Sequence, residues 1–249
     1  MTDGPPPGRP ALQPLEEDFE RVLCIAAHPD DLEYGTAAAV HRWTQQGKTV
    51  TYLLATRGEA GIDTMSPAEA GPLREQEERD GALVVGVDTV DFLEGYLDGV
   101  MEPTLGLRRD LCREMRRLKP DVVVTGSHEL RFRPGMSNQA DHRAVGICVL
   151  DAAKDCGNRW IFPELVAEGY EPWKGLTAVI MGASTSPTHY LDVTGHLEPA
   201  IASLEAHQAY NDALPDDFPK PRELVTMILS MGAQAAGTEH ALLFEVFGN

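Results

Sequence analysis

The 249-residue chain carries 39 Asp and Glu against 21 Lys and Arg, a formal net charge of −18 at pH 7. Nucleic acid requires a basic footprint and an anionic membrane repels an acidic surface, so the charge argues against both as partners. Hydrophobic residues at 43% and charged residues at 24% fit a soluble globular protein, long enough to bury a sizeable core.

Residues 1–17 are rich in proline and glycine and are expected to be an extended tail, ordered only where it packs on the body. They show neither the basic n-region nor the apolar h-region of a signal peptide. No window approaches the ~18 consecutive apolar residues of a membrane span, so a cytoplasmic location is expected. Residues 18–249 are expected to form a single domain. Strands are predicted over 22–27, 50–55, 89–93, 122–125, 177–181 and 242–247. Helices are predicted over 35–46, 73–84, 105–118, 144–156, 197–206 and 222–234. This alternation predicts an α/β fold: a Rossmann-like, doubly wound, mostly parallel sheet with helices on both faces. Lys119-Pro120 marks the end of one helix before the strand at Asp121. The segment 158–175, with Trp160, Phe162, Tyr170 and Trp173, reads as a long irregular loop. It would serve as a pocket wall or subunit contact, or simply be pinned by its aromatics. Oligomeric state is left open, a homo-oligomer included. Cys24, Cys112, Cys148 and Cys156 are scattered, which predicts buried thiols and no Cys-rich zinc site.

The chemistry starts at the end of the first predicted strand. Val22-Leu23-Cys24-Ile25-Ala26 runs into Ala27-His28-Pro29-Asp30-Asp31. Pro29 cannot donate to a strand ladder, so the strand should stop near His28. One imidazole and two carboxylates then sit on the carboxyl-end loop, where open α/β sheets bind ligands. The bland reading is a helix-capping turn, for which Asp is well suited. A dinucleotide fits poorly, because Asp30, Asp31 and Glu33 occupy the place where a glycine loop would admit phosphate.

Asn138-Gln139-Ala140-Asp141-His142 opens another helical stretch beyond the 122–125 strand, which puts His142 on the same sheet edge. Catalytic zinc commonly keeps three protein ligands and one open position. His28, Asp31 and His142 fit that count, with Asp30 beside them. The residues alone leave open which carboxylate turns inward.

In order along the chain, these motifs resemble the PIG-L/LmbE-like family of metal-dependent N-deacetylases. Between them lie Leu54-Ala55-Thr56-Arg57-Gly58-Glu59, Arg74 with Glu77, Val85-Gly86 and Leu97-Asp98-Gly99, and His207-Gln208 follows late. The resemblance covers about residues 21–208. It implies a zinc-dependent hydrolase that removes an N-acetyl or other N-acyl group from a small amino sugar or sugar conjugate. The metal would be held by His28, Asp31 and His142, with Fe2+ as an alternative to Zn2+. It implies Asp30 as general base, and contacts from Arg74 and Asp98 to a polyhydroxylated substrate. Asp141 would orient His142 or Gln139, unless it caps the helix. Arg57 with Glu59, and Glu77 with Arg74, would serve equally as structural ion pairs. One departure stands out: the family's distal motif reads His-x-Asp-His, and its first His helps to stabilise the oxyanion. Here that position is Gln139, which donates only a neutral hydrogen bond. His128, after Thr125-Gly126-Ser127, is a second candidate for the missing imidazole. Two other readings remain: an amidase for another small N-acyl compound, such as a thiol conjugate or natural product, and a non-catalytic metal-pocket binder.

Overall fold

The computed structural model describes residues 11–132 and 136–249; residues 1–10 of the expected tail lie outside that range. Eight strands form one sheet among these residues: β1 (Gln13–Pro14), β2 (Arg21–Ala26), β3 (Thr49–Leu54), β4 (Thr89–Phe92), β5 (Val122–Thr125), β6 (Ala178–Gly182), β7 (His189–Asp192) and β8 (Ala241–Gly248). Their spatial order is β1-β7-β8-β6-β5-β2-β3-β4. From β6 through β4 every pairing is parallel, while β8 runs antiparallel to both β6 and β7. From β2 the chain steps outward to β3 and β4, then returns to β5 on the other side of β2. The direction of winding therefore reverses between β2 and β5, and a crevice opens at the carboxyl ends of such a pair.

Period-two alternation divides β2 between two helical layers. Val22, Cys24 and Ala26 pack with Trp43, Leu204 and Leu229 in one apolar cluster, and Leu23, Ile25 and Ala27 pack with Leu107, Leu111 and Val149 in the other. The first layer draws on α2 (Ala37–Gln45), α3 (Pro67–Val84), α7 (Leu197–Glu205) and α9 (Pro221–Ala236); the second on α4 (Leu105–Leu118) and α5 (Ala140–Asp155). This is the doubly wound architecture expected, with helices on both faces.

Several boundaries differ from expectation, each for a local reason. The predicted 35–46 helix begins at Asp31 and is broken at Thr36 into α1 (Asp31–Gly35) and α2. Helix α3 starts at Pro67, where Ser66 and Glu69 form a capping box and Pro67 takes the first helical position. Helix α5 starts at Ala140, placing Asp141 and His142 in its first turn. Within 158–175 a short α6 (Pro163–Ala167) forms, and Phe162, Tyr170 and Trp173 pack against the second apolar cluster while Trp160 stays exposed. The segment is thus pinned by three of its four aromatics. Helix α8 (Gln208–Ala213) and strand β7 are short and half polar, too weak a pattern to register as periodicity. All four cysteines are free and buried, as expected. Among the described residues, no helix is long and apolar enough to cross a membrane.

Candidate metal centre

Three loops meet at the reversal point. Beyond β2, the carboxylate of Asp31 accepts the N–H groups of Ala27 (3.2 Å) and His28 (2.9 Å), which folds the loop back on itself. Asp30 between them sits at φ 86°, a left-handed conformation that costs a non-glycine residue about 1–3 kcal/mol. Beyond β4, the chain returns with Asp98, Gly99 and Met101. Beyond β5, it enters α5 with Asp141 and His142.

Hydrogen bonds set both histidine tautomers. Nδ1 of His142 lies 3.0 Å from Oδ1 of Asn138, whose Nδ2 donates to the carbonyls of Ser127 (2.7 Å) and Glu129 (2.9 Å). With the Asn138 amide so engaged, its oxygen faces the ring and Nδ1 must donate, leaving the Nε2 lone pair free. Nε2 of His28 lies 3.0 Å from Asp98 Oδ1 and 3.2 Å from Asp141 Oδ2. A proton there leaves Nδ1 as the lone pair. The two free nitrogens face each other at 3.2 Å, with Asp31 oxygens 3.4 Å from His28 Nδ1 and 3.0 Å from His142 Nε2. Ligands about 2.0–2.2 Å from one zinc ion stand roughly 3.3–3.6 Å apart, so this donor set fits a single divalent cation. The structure thus brings together His28, Asp31 and His142, as the sequence expected.

The surroundings are strongly anionic. Burial opposes charge on His28, yet the Asp141, Asp31 and Asp98 carboxylates around it raise its pKa well above the usual range, so a cation bound at Nδ1 would take the place of a proton there. Burial pushes the Asp31 carboxyl up, but His142 and His28 hold it far below the usual carboxylate range. Asp141 is fully buried; despite the desolvation, His28 and the N–H groups of Gly99 (2.6 Å) and Met101 (3.1 Å) keep it low. These acids favour positive charge at the point where the imidazole lone pairs converge.

Asp30 has a different setting. Burial pushes its carboxyl up to about 7, against the opposing pull of Arg74. Arg74 is 2% exposed and lies 3.3 Å from Asp30 Oδ2, but directs its N–H groups to the carbonyls of Pro29 (2.7 Å) and Gly58 (3.0 Å). Oδ2 of Asp30 therefore has no hydrogen-bond partner. Tyr210 stacks on the Arg74 guanidinium, 3.9 Å from ring centroid to Cζ. Arg74 thus sits beneath the loop, and Asp98 is bound to His28, where sequence reasoning placed both against substrate. Arg57 pairs its guanidinium with Glu75 and Glu94 and gives Glu59 only its backbone N–H (3.2 Å), and Glu77 accepts the Ala209 N–H instead of pairing with Arg74. Gln139 is the exposed N-cap residue of α5, so Asp141 is not the cap. His128 is half-buried, with Nδ1 3.3 Å from Met181 Sδ.

Sequence reasoning missed Asn138, which fixes the His142 tautomer; its only signal is a spacing of four residues from that histidine. It also missed Glu33 and Glu78, buried with His207 behind Asp30. The N–H of Asp30 donates to Glu78 Oε2 at 3.0 Å. Burial pushes Glu33 up to about 8 and Glu78 well above the usual range.

The fold and site define a class: a doubly wound α/β protein with a His-Asp-His centre able to hold a metal at its winding reversal. The chain belongs to the PIG-L family, whose model, described as GlcNAc-PI de-N-acetylase, matches residues 23–153. It is 27% identical over 198 residues to a diacetylchitobiose deacetylase of Thermococcus kodakarensis, covering 77% of this chain and 70% of the relative. It is 34% identical over 261 residues to a 1D-myo-inositol 2-acetamido-2-deoxy-alpha-D-glucopyranoside deacetylase of Kineococcus radiotolerans, covering 79% and 70%. Among solved structures, N,N'-diacetylchitobiose deacetylase from Pyrococcus horikoshii shares the fold with a TM-score of 0.83 at 23% identity, covering 92% of this chain and 84% of that one.

Proposed function

We propose that this chain is a metal-dependent N-deacetylase of small N-acetylated amino sugars or their conjugates. The observation that carries the reading is the convergence of His28 Nδ1 and His142 Nε2, 3.2 Å apart, on the Asp31 carboxylate. Family membership and the names of the two relatives, both deacetylases of N-acetylated glucosamine compounds, support the substrate class. Zinc is the proposed ion, because two imidazoles and a carboxylate suit it; ferrous iron accepts the same donors. When bound, the ion supplies a Lewis acid for the amide carbonyl and lowers the pKa of a water to about 7.

The remaining work falls to the protein. Asp30, adjacent in the loop to Asp31 and with no hydrogen bond on its Oδ2, takes a proton from the attacking water and later delivers it to the nitrogen as the C–N bond breaks. The products are acetate and a free amine. Arg74 and Glu78 hold the Asp30 loop in place, through the Pro29 carbonyl and the Asp30 N–H respectively. Asp98 and Asp141 hold His28, and Asn138 holds His142. Gln139, the exposed N-cap residue of the helix that carries His142, donates a neutral hydrogen bond to the carbonyl oxygen as charge develops there.

The test is amine release from N-acetylglucosamine and diacetylchitobiose by zinc-reconstituted protein, followed by chelation. Release with zinc and its loss on chelation are expected. A fully zinc-loaded protein that frees no amine from either compound or from a glycosidic N-acetylglucosamine conjugate would refute the reading.

A further inference from the structure

We propose that Glu33, Glu78 and His207 form a second, structural metal site that takes one divalent cation of zinc's chemistry, directly behind the Asp30 loop. The three side chains come from α1, α3 and the N-cap of α8, and share no residue with the His28 centre. Glu33 is 1% exposed and the other two are fully buried.

Their spacing is wrong for hydrogen bonds and close to right for an ion. Nε2 of His207 stands 3.7 Å from Glu33 Oε2 and 3.8 Å from Glu78 Oε2. Hydrogen bonds of this type measure about 2.7–3.2 Å. Three ligands bonded at about 2.1 Å to one zinc stand roughly 3.4–3.6 Å apart. The donor atoms of the trio all lie within 4.8 Å of one another. Both ring nitrogens of His207, together with Glu33 Oε2 and Glu78 Oε1, have no hydrogen-bond partner. Buried polar atoms are rarely left so, and His207 Nε2 facing Glu33 Oε2 and Glu78 Oε2 without a bond to either calls for a ligand.

Charge points the same way. Two carboxylates face one imidazole, and the neighbouring Arg74 gives its N–H groups to the carbonyls of Pro29 and Gly58. A divalent cation neutralises both carboxylates and gives His207 Nε2 a partner at once. Gly81 lets α3 close on the trio, since a Cβ there would crowd His207 Nε2 at 3.1 Å, Glu33 Oε1 at 3.4 Å and the Ser203 carbonyl at 2.9 Å. Because Glu78 Oε2 also accepts the Asp30 N–H, an ion held here would fasten the left-handed residue that carries the proposed base.

The full-length protein is saturated with zinc chloride and desalted, and its metal content is then measured per chain. Wild type is expected to hold two ions, Glu78→Gln and His207→Gln one each, Asp31→Asn one, and Asp31→Asn with Glu78→Gln none. A wild type holding one ion that Asp31→Asn removes would overturn the proposal and leave the trio as a shared-proton network. One ion retained by Asp31→Asn and lost by Glu78→Gln would instead uphold the trio and count against the catalytic centre. Should the trio variants fail to fold, anomalous scattering at the zinc edge from wild-type crystals decides. A peak between the three side chains supports the site, and its absence there overturns it.

Discussion

His28 and His142 each have one ring nitrogen committed to a carboxylate or amide partner, which is what aims the other. Imidazole tautomers are set by the bond at the far nitrogen, so in the proposed mechanism Asp98, Asp141 and Asn138 would govern metal affinity without touching the ion. Gln139 and His128 raise a different question, because neither touches the donor set. Gln139 is exposed one residue before the α5 turn that carries His142, while the His128 ring is engaged with Met181. Loss of an oxyanion donor typically costs about 2.7–4 kcal/mol in the transition state, a factor of roughly 10²–10³. Gln139→Ala is therefore expected to lower kcat on an N-acetyl substrate by about that factor while zinc stays bound, and Gln139→His to restore it. His128→Ala is expected to change kcat less than about twofold. A nearly silent Gln139→Ala alongside a damaging His128→Ala would reverse the assignment.

Elements place these residues, and the long ones could be read before the structure. Strands β2, β3 and β5 are apolar runs buried on both faces, a pattern that only a central parallel strand requires. Start points were less legible, because a capping box or an N-cap is a local hydrogen-bond arrangement that apolar periodicity does not report. Strand β7 and helix α8 escaped for want of length; they exist because β8 and α3 offer them a surface. Helix α9 meets β8 with no room to spare. A Cβ on Gly232 would lie 2.0 Å from the Ala241 carbonyl oxygen. Gly232→Ala should therefore destabilise by about 1–3 kcal/mol through overpacking. The melting midpoint should fall by about 2–4 °C for each kcal/mol lost. An unchanged midpoint would mean that α9 is free to slide on the sheet.

The proposed metal centre belongs to no single element. His28 and Asp31, Asp98, and Asp141 with His142 reach it from three strand ends, and they meet because the winding reverses between β2 and β5. The residue types that meet here and their edge of the sheet were legible, since loop placement follows from strand order. Partner choice was not: Arg74 and Asp98 face inward to Asp30 and His28, and no spacing rule predicts which way a long side chain turns. Nor could sequence foretell that Glu33, Glu78 and His207, distant along the chain, would be buried together.

In the proposed mechanism the two adjacent acids of one loop divide the work, Asp31 at the metal and Asp30 at the proton. The most direct measurement is metal content and kcat for Asp30→Asn and Asp31→Asn, prepared side by side with wild type and reconstituted with zinc. Asp30→Asn is predicted to keep the full wild-type metal complement and lose about 10²–10⁴-fold in kcat, the usual contribution of a general base. Asp31→Asn is predicted to lose one ion per chain, and its activity with it. An Asp30→Asn protein that sheds an ion while Asp31→Asn keeps its full complement would contradict the account.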